Sequence, residues 1–213
     1  MVATVLYDYW RSSASYRVRI ALNMLGEDYE IVPVDLLARA HRSEEHLARN
    51  PQGLVPALDI DGRMLTQSLA IIEYLDETRS AGFLPKDAAG RARVRALAGA
   101  IVMEIHPVCN LRIVAHVAEL TGGGEGGRKA WMQKFIAEGL RAFEAMLGTG
   151  DFCHGDRPGM ADFCLVPQLY NAHRWAVDLS GLARIQRIAR NCSEIAAFAA
   201  AHPDRIGPPP SQG

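Results

Sequence analysis

The first third of the chain alternates short β-rich runs with helical patterns. Residues 4–7 predict a strand, and residues 15–25 predict a helix because their apolar positions recur at helical spacing. Gly26 is expected to end that helix, since glycine readily takes the left-handed conformation found at helix ends. Residues 29–36 predict a second strand, which Pro33 interrupts or restricts to a sheet edge because proline has no N–H to donate.

Two more strands and a helix follow. After a short, weakly patterned helix, residues 57–60 and 63–65 predict strands joined by Asp61-Gly62, a pair typical of two-residue hairpin turns. Ser68 is expected to cap a helix that continues through Glu77. The order of strand, helix, strand, helix, strand, strand and helix is typical of a mixed α/β layer domain.

The pattern beyond residue 86 is helical. Two apolar stripes recur at helical spacing, and their members are Val94, Leu97, Ala98, Ile101, Val102 and Ile105, then Trp131, Phe135, Ile136, Leu140, Phe143 and Leu147. Between the stripes, residues 121–127 contain five glycines, which argues against a helix interior and predicts a flexible connection. Residues 160–177 predict a strongly apolar helix that Pro167 interrupts.

These patterns predict an α/β domain followed by an all-α domain. We expect the first over residues 1–80, a linker over residues 81–86 and the helical domain over residues 87–213. The tail from His202, which includes Pro208-Pro209-Pro210, has no periodic pattern and is expected to be loose at its end.

Composition and charge narrow the classes of function. The chain is 49% apolar and 22% charged, an ordinary mixture for a globular enzyme. Its formal net charge of -1 gives no sign of nucleic-acid binding or of attraction to an anionic membrane. No run reaches the roughly 18 apolar residues of a membrane helix, and no signal peptide is recognised, so we expect a cytoplasmic protein without membrane partners.

The cysteines and histidines do not form a metal-ligand pattern. The four cysteines, Cys109, Cys153, Cys164 and Cys192, are far apart and include no C-x-x-C pair, which favours free thiols in a reducing compartment. The seven histidines bring no clustered ligand set with them, so no metal site is expected.

A cluster of hydroxyls lies between the first strand and the first helix. Ser12, Ser13 and Ser15 would lie beside free backbone N–H groups and the positive end of the helix dipole. Such a place can hold an anion, and a thiolate is an anion. From these residues alone, serines that merely cap the helix are the simpler interpretation.

Four blocks of sequence indicate a resemblance to a known family. They are WRSSASYRVRIAL over residues 10–22, NPQGLVPAL over 50–58, QSLAIIEYL over 67–75 and MADFCLVPQ over 160–168. In this order they resemble the zeta-class glutathione transferases, the group that includes maleylacetoacetate and maleylpyruvate isomerases. A weaker likeness continues to about residue 203.

The resemblance implies a fold. It implies an N-terminal thioredoxin-like domain followed by an all-helical domain, with a cis peptide bond at Val55-Pro56 that exposes the Val55 backbone to glutathione. Many members have Ser or Thr where this chain has Gly159, three residues before Asp162, so Asp162 is expected to serve folding and not catalysis. Family members are usually two-fold dimers, so a homodimer is expected here.

The resemblance also implies reduced glutathione as the cofactor. Ser12 would lie nearest its sulfur, with Ser13 beside it, while Gln67-Ser68 would grip the γ-glutamyl carboxylate unless Ser68 is only a cap. Ala14 stands where many members have cysteine, which excludes an enzyme thiol at this position. The residues expected to bind glutathione are Ser12, Ser13, Ser15, His41, Val55, Gln67, Ser68, His106 and Asn110.

The substrate implied by the isomerases is a small dianionic cis-enedione, which calls for arginines. Arg11, Arg112 and Arg174 match substrate-side positions, although a surface role would explain each of them as well. Arg17 and Arg19 are expected to be structural or glutathione-side charges. The expected catalytic residues are Ser12, Ser13, Arg11 and Arg174.

The implied activity is the conversion of maleylacetoacetate to fumarylacetoacetate in aromatic amino acid breakdown. One alternative is maleylpyruvate isomerase of gentisate catabolism, whose substrate differs in the length of its keto chain. Another is a zeta-class transferase acting on α-halo acids. A third, from a different class, is a non-catalytic module with the glutathione transferase fold, and the presence of Ser12, Gln67 and Ser68 argues against it.

Overall fold

The computed structural model describes residues 3–208. These residues divide into two compact units, one formed by the chain up to Phe83 together with the segment from Ile195 onward, and the other by Leu84–Glu194. The helices, in chain order, are α1 Ser13–Leu25, α2 Glu44–Arg49, α3 Ser68–Arg79, α4 Ala88–Gly99, α5 Leu111–Thr121, α6 Gly124–Met146, α7 Met160–Arg174, α8 Ala183–Ser193, α9 Ala196–Ala200 and α10 Pro203–Ile206. A 3-10 turn, Ala40–Arg42, precedes α2, and a π-helical segment, Ala100–Ile105, follows α4.

A four-stranded mixed sheet forms the centre of the first unit. Its strands are β1 Thr4–Asp8, β2 Tyr29–Pro33, β3 Ala57–Ile60 and β4 Arg63–Thr66, in the spatial order β2-β1-β3-β4. β1 pairs parallel to β2 and antiparallel to β3, and Leu6 lies opposite both Ile31 and Leu58. β2 is an edge strand that ends at Pro33, as the missing proline N–H predicts.

The turns of this unit follow local residue chemistry. Asp61 and Gly62 both have positive φ, 54° and 71°, which confirms the predicted hairpin between β3 and β4. Gly26 ends α1 in the left-handed conformation with φ 67°, also as predicted. The prediction that Ser68 caps α3 was wrong by one residue. Gln67 is the N-cap, and Ser68 is already the first helical residue.

The predicted apolar stripe after residue 86 forms much of the core of the second unit. Val94 and Leu97 of α4 and Ile101 and Ile105 of the π-helical segment are buried. Gly139 of α6 permits a close approach here, since a Cβ at this position would lie 2.3 Å from the Ile105 Cγ1 atom.

The glycine-rich segment differs from the prediction. Gly122 ends α5 with φ 63°, but α6 begins at Gly124, so Gly126 and Gly127 are helical. Glycines are tolerated here for two reasons. The first N–H groups of a helix have no intrahelical partner in any case. The apolar stripe that follows buries α6 against the core and so stabilises the helix. The run therefore marks a helix boundary and the first turn of α6.

The segment that contains α9 and α10 packs on the rest of the first unit. Asn23 of α1 donates from Nδ2 to the Ala197 carbonyl at 3.1 Å, and Arg19 donates from Nε to the Ala201 carbonyl at 3.0 Å. The sequence had placed this segment with the helical domain, because its helical pattern carries no sign of which unit it contacts. Pro203 begins the short helix α10, where no periodic pattern was seen, while the predicted loose end at residues 209–213 lies outside the described residues.

Candidate active site

The N-terminus of α1 presents a hydroxyl at the end of β1. Ser12 is the N-cap, with φ -66° and ψ 118°, and its Oγ accepts a hydrogen bond from the Ser15 N–H at 3.2 Å. This bond uses a lone pair of the oxygen, so the Ser12 O–H hydrogen can still be donated. Ser12 is half-buried, whereas Ser13 is buried and Ser15 is fully enclosed. Capping and anion binding are therefore compatible at Ser12.

The N-terminus of α3 is open in a different way. Its N-cap residue, Gln67, has φ 69° and ψ 111° and makes no capping bond with its side chain. That side chain instead donates from Nε2 to Gln52 Oε1 at 2.7 Å. A non-glycine residue at positive φ is unfavourable and commonly occurs at ligand sites. The first N–H groups of α3 therefore lack the side-chain acceptor that Ser12 gives to α1.

Ser68 connects this helix end to α1. Its Oγ accepts from Arg17 Nη1 at 3.2 Å, and both side chains are buried. Arg17 thus has a structural role in joining α1 to α3, and it lies directly behind a residue that the sequence assigned to glutathione binding.

The segment from Asn50 to Val55 joins the N-terminus of α3 to the 3-10 turn. Gly53 has φ 60°, and a Cβ on it would lie 2.9 Å from the His41 carbonyl oxygen, so only glycine allows this approach. The Val55-Pro56 peptide bond is cis, as the resemblance implied. The structure therefore brings His41, Val55, Gln67 and the Gln52 side chain into one contiguous region.

Two residues in this region were not assigned a role from the sequence. His46 Nε2 and Asn50 Nδ2 each lie 2.9 Å from the Leu54 carbonyl oxygen. Both side chains are only 2% exposed. Asn50 stands inside one of the matched blocks, which could have marked it, but nothing in the sequence pattern distinguishes His46 from a surface residue of α2.

His41 has an altered acidity. Burial, together with the charges of Arg42, His46 and Arg39, lowers the pKa of His41 below its usual value. A neutral imidazole is therefore favoured at neutral pH, with one ring nitrogen available as a donor and the other as an acceptor.

The two arginines near Ser12 differ in environment. Arg11 is exposed, and its guanidinium lies 4.1 Å from the centroid of the Trp10 ring. Arg19 is fully buried, and its Nη1 lies 2.5 Å from Asp8 Oδ2 while its Nη2 donates to the Trp10 carbonyl at 3.1 Å. Arg11 is thus open to a ligand, whereas Arg19 holds the segment that carries Arg11 and Ser12.

The remaining predicted site residues belong to the second unit. His106 follows the π-helical segment directly and is half-buried. Asn110 is the N-cap of α5, and its Oδ1 accepts from the Arg112 N–H at 3.2 Å. The side chains of Arg112 and Arg174 are exposed, with the Arg174 guanidinium 6.0 Å from the centroid of the Tyr170 ring.

Asp162 has the folding role that was expected of it. It is buried, and its two carboxylate oxygens accept from the backbone N–H groups of Cys153 and Gly159, each at 2.9 Å. Burial raises the pKa of Asp162, although these donors act in the opposite direction. Since Gly159 has no side chain, Asp162 supplies the whole of this helix cap.

The thiols of the chain are not activated nucleophiles. All four cysteines are free and buried. Burial raises the pKa of the Cys109 thiol to about 12, so it stays protonated at neutral pH. Among residues 3–208, no group of three or more metal-ligating side chains is arranged to hold a metal ion. None of the helices in that range combines the length and apolar character needed to cross a membrane.

Comparison with known proteins identifies the family. Residues 2–77 match the family described as "Glutathione S-transferase, N-terminal domain", and residues 115–203 match "Glutathione S-transferase, C-terminal domain". A maleylacetoacetate isomerase of Rhizobium meliloti (strain 1021) is 67% identical over 209 residues, which span 96% of this chain and 98% of that protein.

Two solved structures extend this likeness to the backbone. A holo maleyl pyruvate isomerase, described as a bacterial zeta-class glutathione transferase, has a TM-score of 0.91 at 41% identity and covers 98% of this chain and 100% of its own. A maleylacetoacetate isomerase from Anaeromyxobacter dehalogenans 2CP-1, with glutathione bound in its active site, has a TM-score of 0.85 at 44% identity, with 95% and 96% of the two chains covered.

The chain therefore belongs to the glutathione S-transferase family, in the zeta-class group of maleylacetoacetate and maleylpyruvate isomerases. This confirms the family that the four sequence blocks indicated. It also confirms the expected fold, a thioredoxin-like domain followed by a helical domain.

Proposed function

We propose that this chain is a glutathione-dependent cis-trans isomerase that converts maleylacetoacetate to fumarylacetoacetate. The observation that carries the proposal is the Ser12 hydroxyl at the N-terminus of α1, free to donate, in a chain 67% identical to a maleylacetoacetate isomerase. The hydroxyl and the helix dipole suit a thiolate, and the identity supports the particular reaction.

The first unit offers a suitable group for each part of glutathione. The open N-terminus of α3, with Ser68 and the exposed Gln67, would hold the γ-glutamyl carboxylate. The half-buried Val55 backbone would pair with the peptide portion, and His41 would contact the glycyl end. Ser12 would donate to the sulfur, with Ser13 beside it and Ser15 supporting the turn from inside.

Ser12 and α1 would make the thiol usable at neutral pH. A free thiol has a pKa of about 8.5, so only a few per cent is ionised near neutrality. When bound, glutathione supplies a thiolate that adds reversibly to the double bond conjugated to a ketone, which allows rotation before it is expelled. The Ser12 O–H and the first N–H groups of α1 would stabilise the negative charge, and Ala14 leaves no enzyme thiol to compete.

Arginines would recognise the carboxylates of the dianionic substrate. Arg11, Arg112 and Arg174 are exposed, and a guanidinium can bind a carboxylate through two parallel hydrogen bonds. We assign Arg11 and Arg174 the further role of neutralising the enolate charge that develops next to the ketone. On the family resemblance, His106 and Asn110 are also proposed to contact glutathione.

The substitution Ser12→Ala tests this assignment. It should lower kcat/KM about 100-fold, because it removes the donor that stabilises the thiolate. It should also raise the pKa of enzyme-bound glutathione, which is measured from ultraviolet thiolate absorbance against pH. Helix capping is lost at the same time, which costs about 1 kcal/mol of stability.

Asp87→Ala is the matched control for lost capping. Asp87 is the N-cap of α4, and its Oδ1 accepts from the Gly90 N–H at 2.7 Å. This variant should lose a similar free energy of unfolding and keep the wild-type rate. If Ser12→Ala kept both the wild-type rate and the wild-type pKa of bound glutathione, Ser12 would not be the thiolate partner.

The substrate is tested by product analysis with and without reduced glutathione. We expect faster glutathione-dependent conversion of maleylacetoacetate than of maleylpyruvate, measured as the ratio of kcat/KM. The reverse ratio would favour maleylpyruvate isomerase, the activity named for the structural neighbour at 41% identity. Glutathione binding without conversion of either substrate would favour the α-halo acid transferase or the non-catalytic module.

We also propose that the protein is a cytoplasmic homodimer. The exposed apolar side chains Met103, Leu111, Ile113 and Leu120 support a partner surface on the second unit. The buried free thiols suit a reducing compartment. Analytical ultracentrifugation at micromolar concentration should give a dimer, and a clean monomer would contradict this assembly.

A further inference from the structure

Two buried side chains converge on one backbone carbonyl just before the cis peptide bond. His46 comes from α2 and Asn50 from the residue that follows it, and each places a nitrogen 2.9 Å from the Leu54 oxygen. A carbonyl oxygen can only accept, so both nitrogens are donors, and the two bonds use both of its lone pairs. We call this arrangement of His46, Asn50 and the Leu54 carbonyl the Leu54 clamp.

The clamp is firmly held by its surroundings. Asn50 also accepts, through Oδ1, from the Gln52 N–H at 3.1 Å, and its own N–H donates to the His46 carbonyl at 2.8 Å. The His46 N–H donates to the Ser43 Oγ at 3.2 Å, which caps α2. Both clamp side chains are 2% exposed, so water does not compete for the Leu54 oxygen.

Holding the Leu54 oxygen fixes the neighbouring N–H as well. The Leu54 C=O and the Val55 N–H belong to the same planar trans peptide unit, in which they point in opposite directions. With the oxygen turned toward α2, the Val55 N–H is turned away from it. Within residues 3–208, the Val55 N–H makes no hydrogen bond, and Val55 is half-exposed.

We infer that His46 and Asn50 are positioning residues that set the direction of the Val55 N–H and thereby the affinity for glutathione. This inference rests on the proposed function, since it takes the Val55 backbone as a contact for the peptide portion of glutathione. The clamp lowers the cost of binding because the peptide plane does not have to be oriented when the ligand arrives. It does not touch the reacting sulfur, so it acts on binding and not on the chemical step.

The substitutions His46→Phe and His46→Gln separate the donor from the packing. Phenylalanine keeps a planar ring in the buried position but has no donor, whereas the glutamine amide can still donate. His46→Phe should weaken glutathione binding about five- to tenfold by isothermal titration calorimetry, in keeping with the loss of one hydrogen bond. His46→Gln should stay within about twofold of wild type, and kcat at saturating glutathione should be unchanged in both.

A spectroscopic measurement on the ligand-free protein tests the clamp without any activity. The carbonyl ¹³C resonance of Leu54 should move upfield in His46→Phe, since one of its two donors is removed, and should stay near wild type in His46→Gln. Asn50→Leu removes the other donor and should give the same upfield shift and weaker binding. Glu44→Ala, on an exposed position of α2, is the control that should change neither quantity.

The results distinguish the two proposals. A folded His46→Phe or Asn50→Leu variant with wild-type affinity and an unmoved Leu54 resonance would overturn the clamp. If the wild-type protein bound no glutathione, the proposed function would fail instead, and the resonance would still show whether the clamp holds Leu54. Circular dichroism establishes which variants are folded, and either donor variant alone is sufficient for the test.

Discussion

Ser12 shows how one hydroxyl can cap a helix and still be able to donate a hydrogen bond to a ligand. Its oxygen accepts from the Ser15 N–H and so caps α1, while its hydrogen is left to donate. The sequence presented these two interpretations as competitors, since a serine before a helix is most often a cap. The bond geometry removes the conflict, because the two uses involve different parts of the hydroxyl group.

His41 gives a pH-dependent prediction at the residue scale. Because the pKa of His41 is lowered in the folded protein, the unfolded chain binds more protons between that pKa and the usual value of 6.5. The His41 contribution to the free energy of unfolding should therefore fall as the pH decreases below 6.5. NMR titration of its ring should give a pKa under 6.5, and His41→Gln should show a shallower loss of stability on acidification.

The measured pKa of the His41 ring can contradict this prediction. A ring titration at or above 6.5 would mean that neither burial nor the charges of Arg42, His46 and Arg39 lower the pKa of His41 in solution. Salt provides a further check, since added salt should weaken that charge effect and move the pKa upward.

At the scale of single elements, caps and glycines explain where helices begin and end. α1 is capped by Ser12 and ends at Gly26, and both signals are visible in the sequence. α3 has no such signal, because Gln67 at its start has a positive φ that the tertiary structure imposes. For this reason the sequence patterns located α1 closely, whereas the predicted N-cap of α3 was one residue too late.

The cap of α7 depends on one carboxylate, which makes Asp162→Ala informative. The change leaves the N–H groups of the buried Cys153 and the half-buried Gly159 without an acceptor and should lower the free energy of unfolding by about 3 kcal/mol. Urea denaturation measures this loss. The KM for glutathione in the folded variant should remain at its wild-type value, because Asp162 serves folding.

Asp178→Ala is the matched control for this change. Asp178 is exposed, and it accepts from a single backbone N–H, that of Ser180 at 2.9 Å. Its removal should cost about 1 kcal/mol or less, since water can replace the lost acceptor. Equal losses in the two variants would mean that burial adds nothing to the role of Asp162.

At the scale of the whole molecule, one buried arginine joins distant parts of the chain. Arg19 binds Asp8 at the end of β1, the Trp10 carbonyl before Ser12, and the Ala201 carbonyl near the C-terminus. Both charged side chains of the pair are at most 1% exposed. Arg19 therefore couples the segment around Ala201 to the segment that presents Ser12, the proposed thiolate partner.

Arg19→Met should lower the free energy of unfolding by about 3–5 kcal/mol, because it leaves the buried Asp8 carboxylate without its partner. Chemical denaturation measures this change. Limited proteolysis should cut the segment after Ile195 faster, and the double variant with Asp8→Leu should recover part of the stability.

Arg79→Met is the control on a more exposed ion pair. Arg79 binds Asp61 and Glu27, and these side chains are 25% to 38% exposed. Its loss should cost about 1 kcal/mol or less, since exposed pairs contribute little. A similar small cost for Arg19→Met would contradict the coupling role of the buried pair.

The sequence by itself determined the parts that depend on local periodicity and local backbone chemistry. The four strands, the helices with apolar stripes, the tight turn at Asp61-Gly62 and the serines at the start of α1 all follow from residues close together in the chain. The family blocks added the fold and the proposed site residues, because they carry those local signals in a recognisable order.

Only the tertiary structure decided the features that join distant residues. These are the Leu54 clamp, the Arg17 bond to Ser68, the close approach of Gly53 to the His41 carbonyl, and the packing of the last helices on α1. Helical periodicity states which face of an element is apolar, but it does not state which partner covers that face. Buried polar side chains follow no period at all, since each is placed by the one acceptor it satisfies.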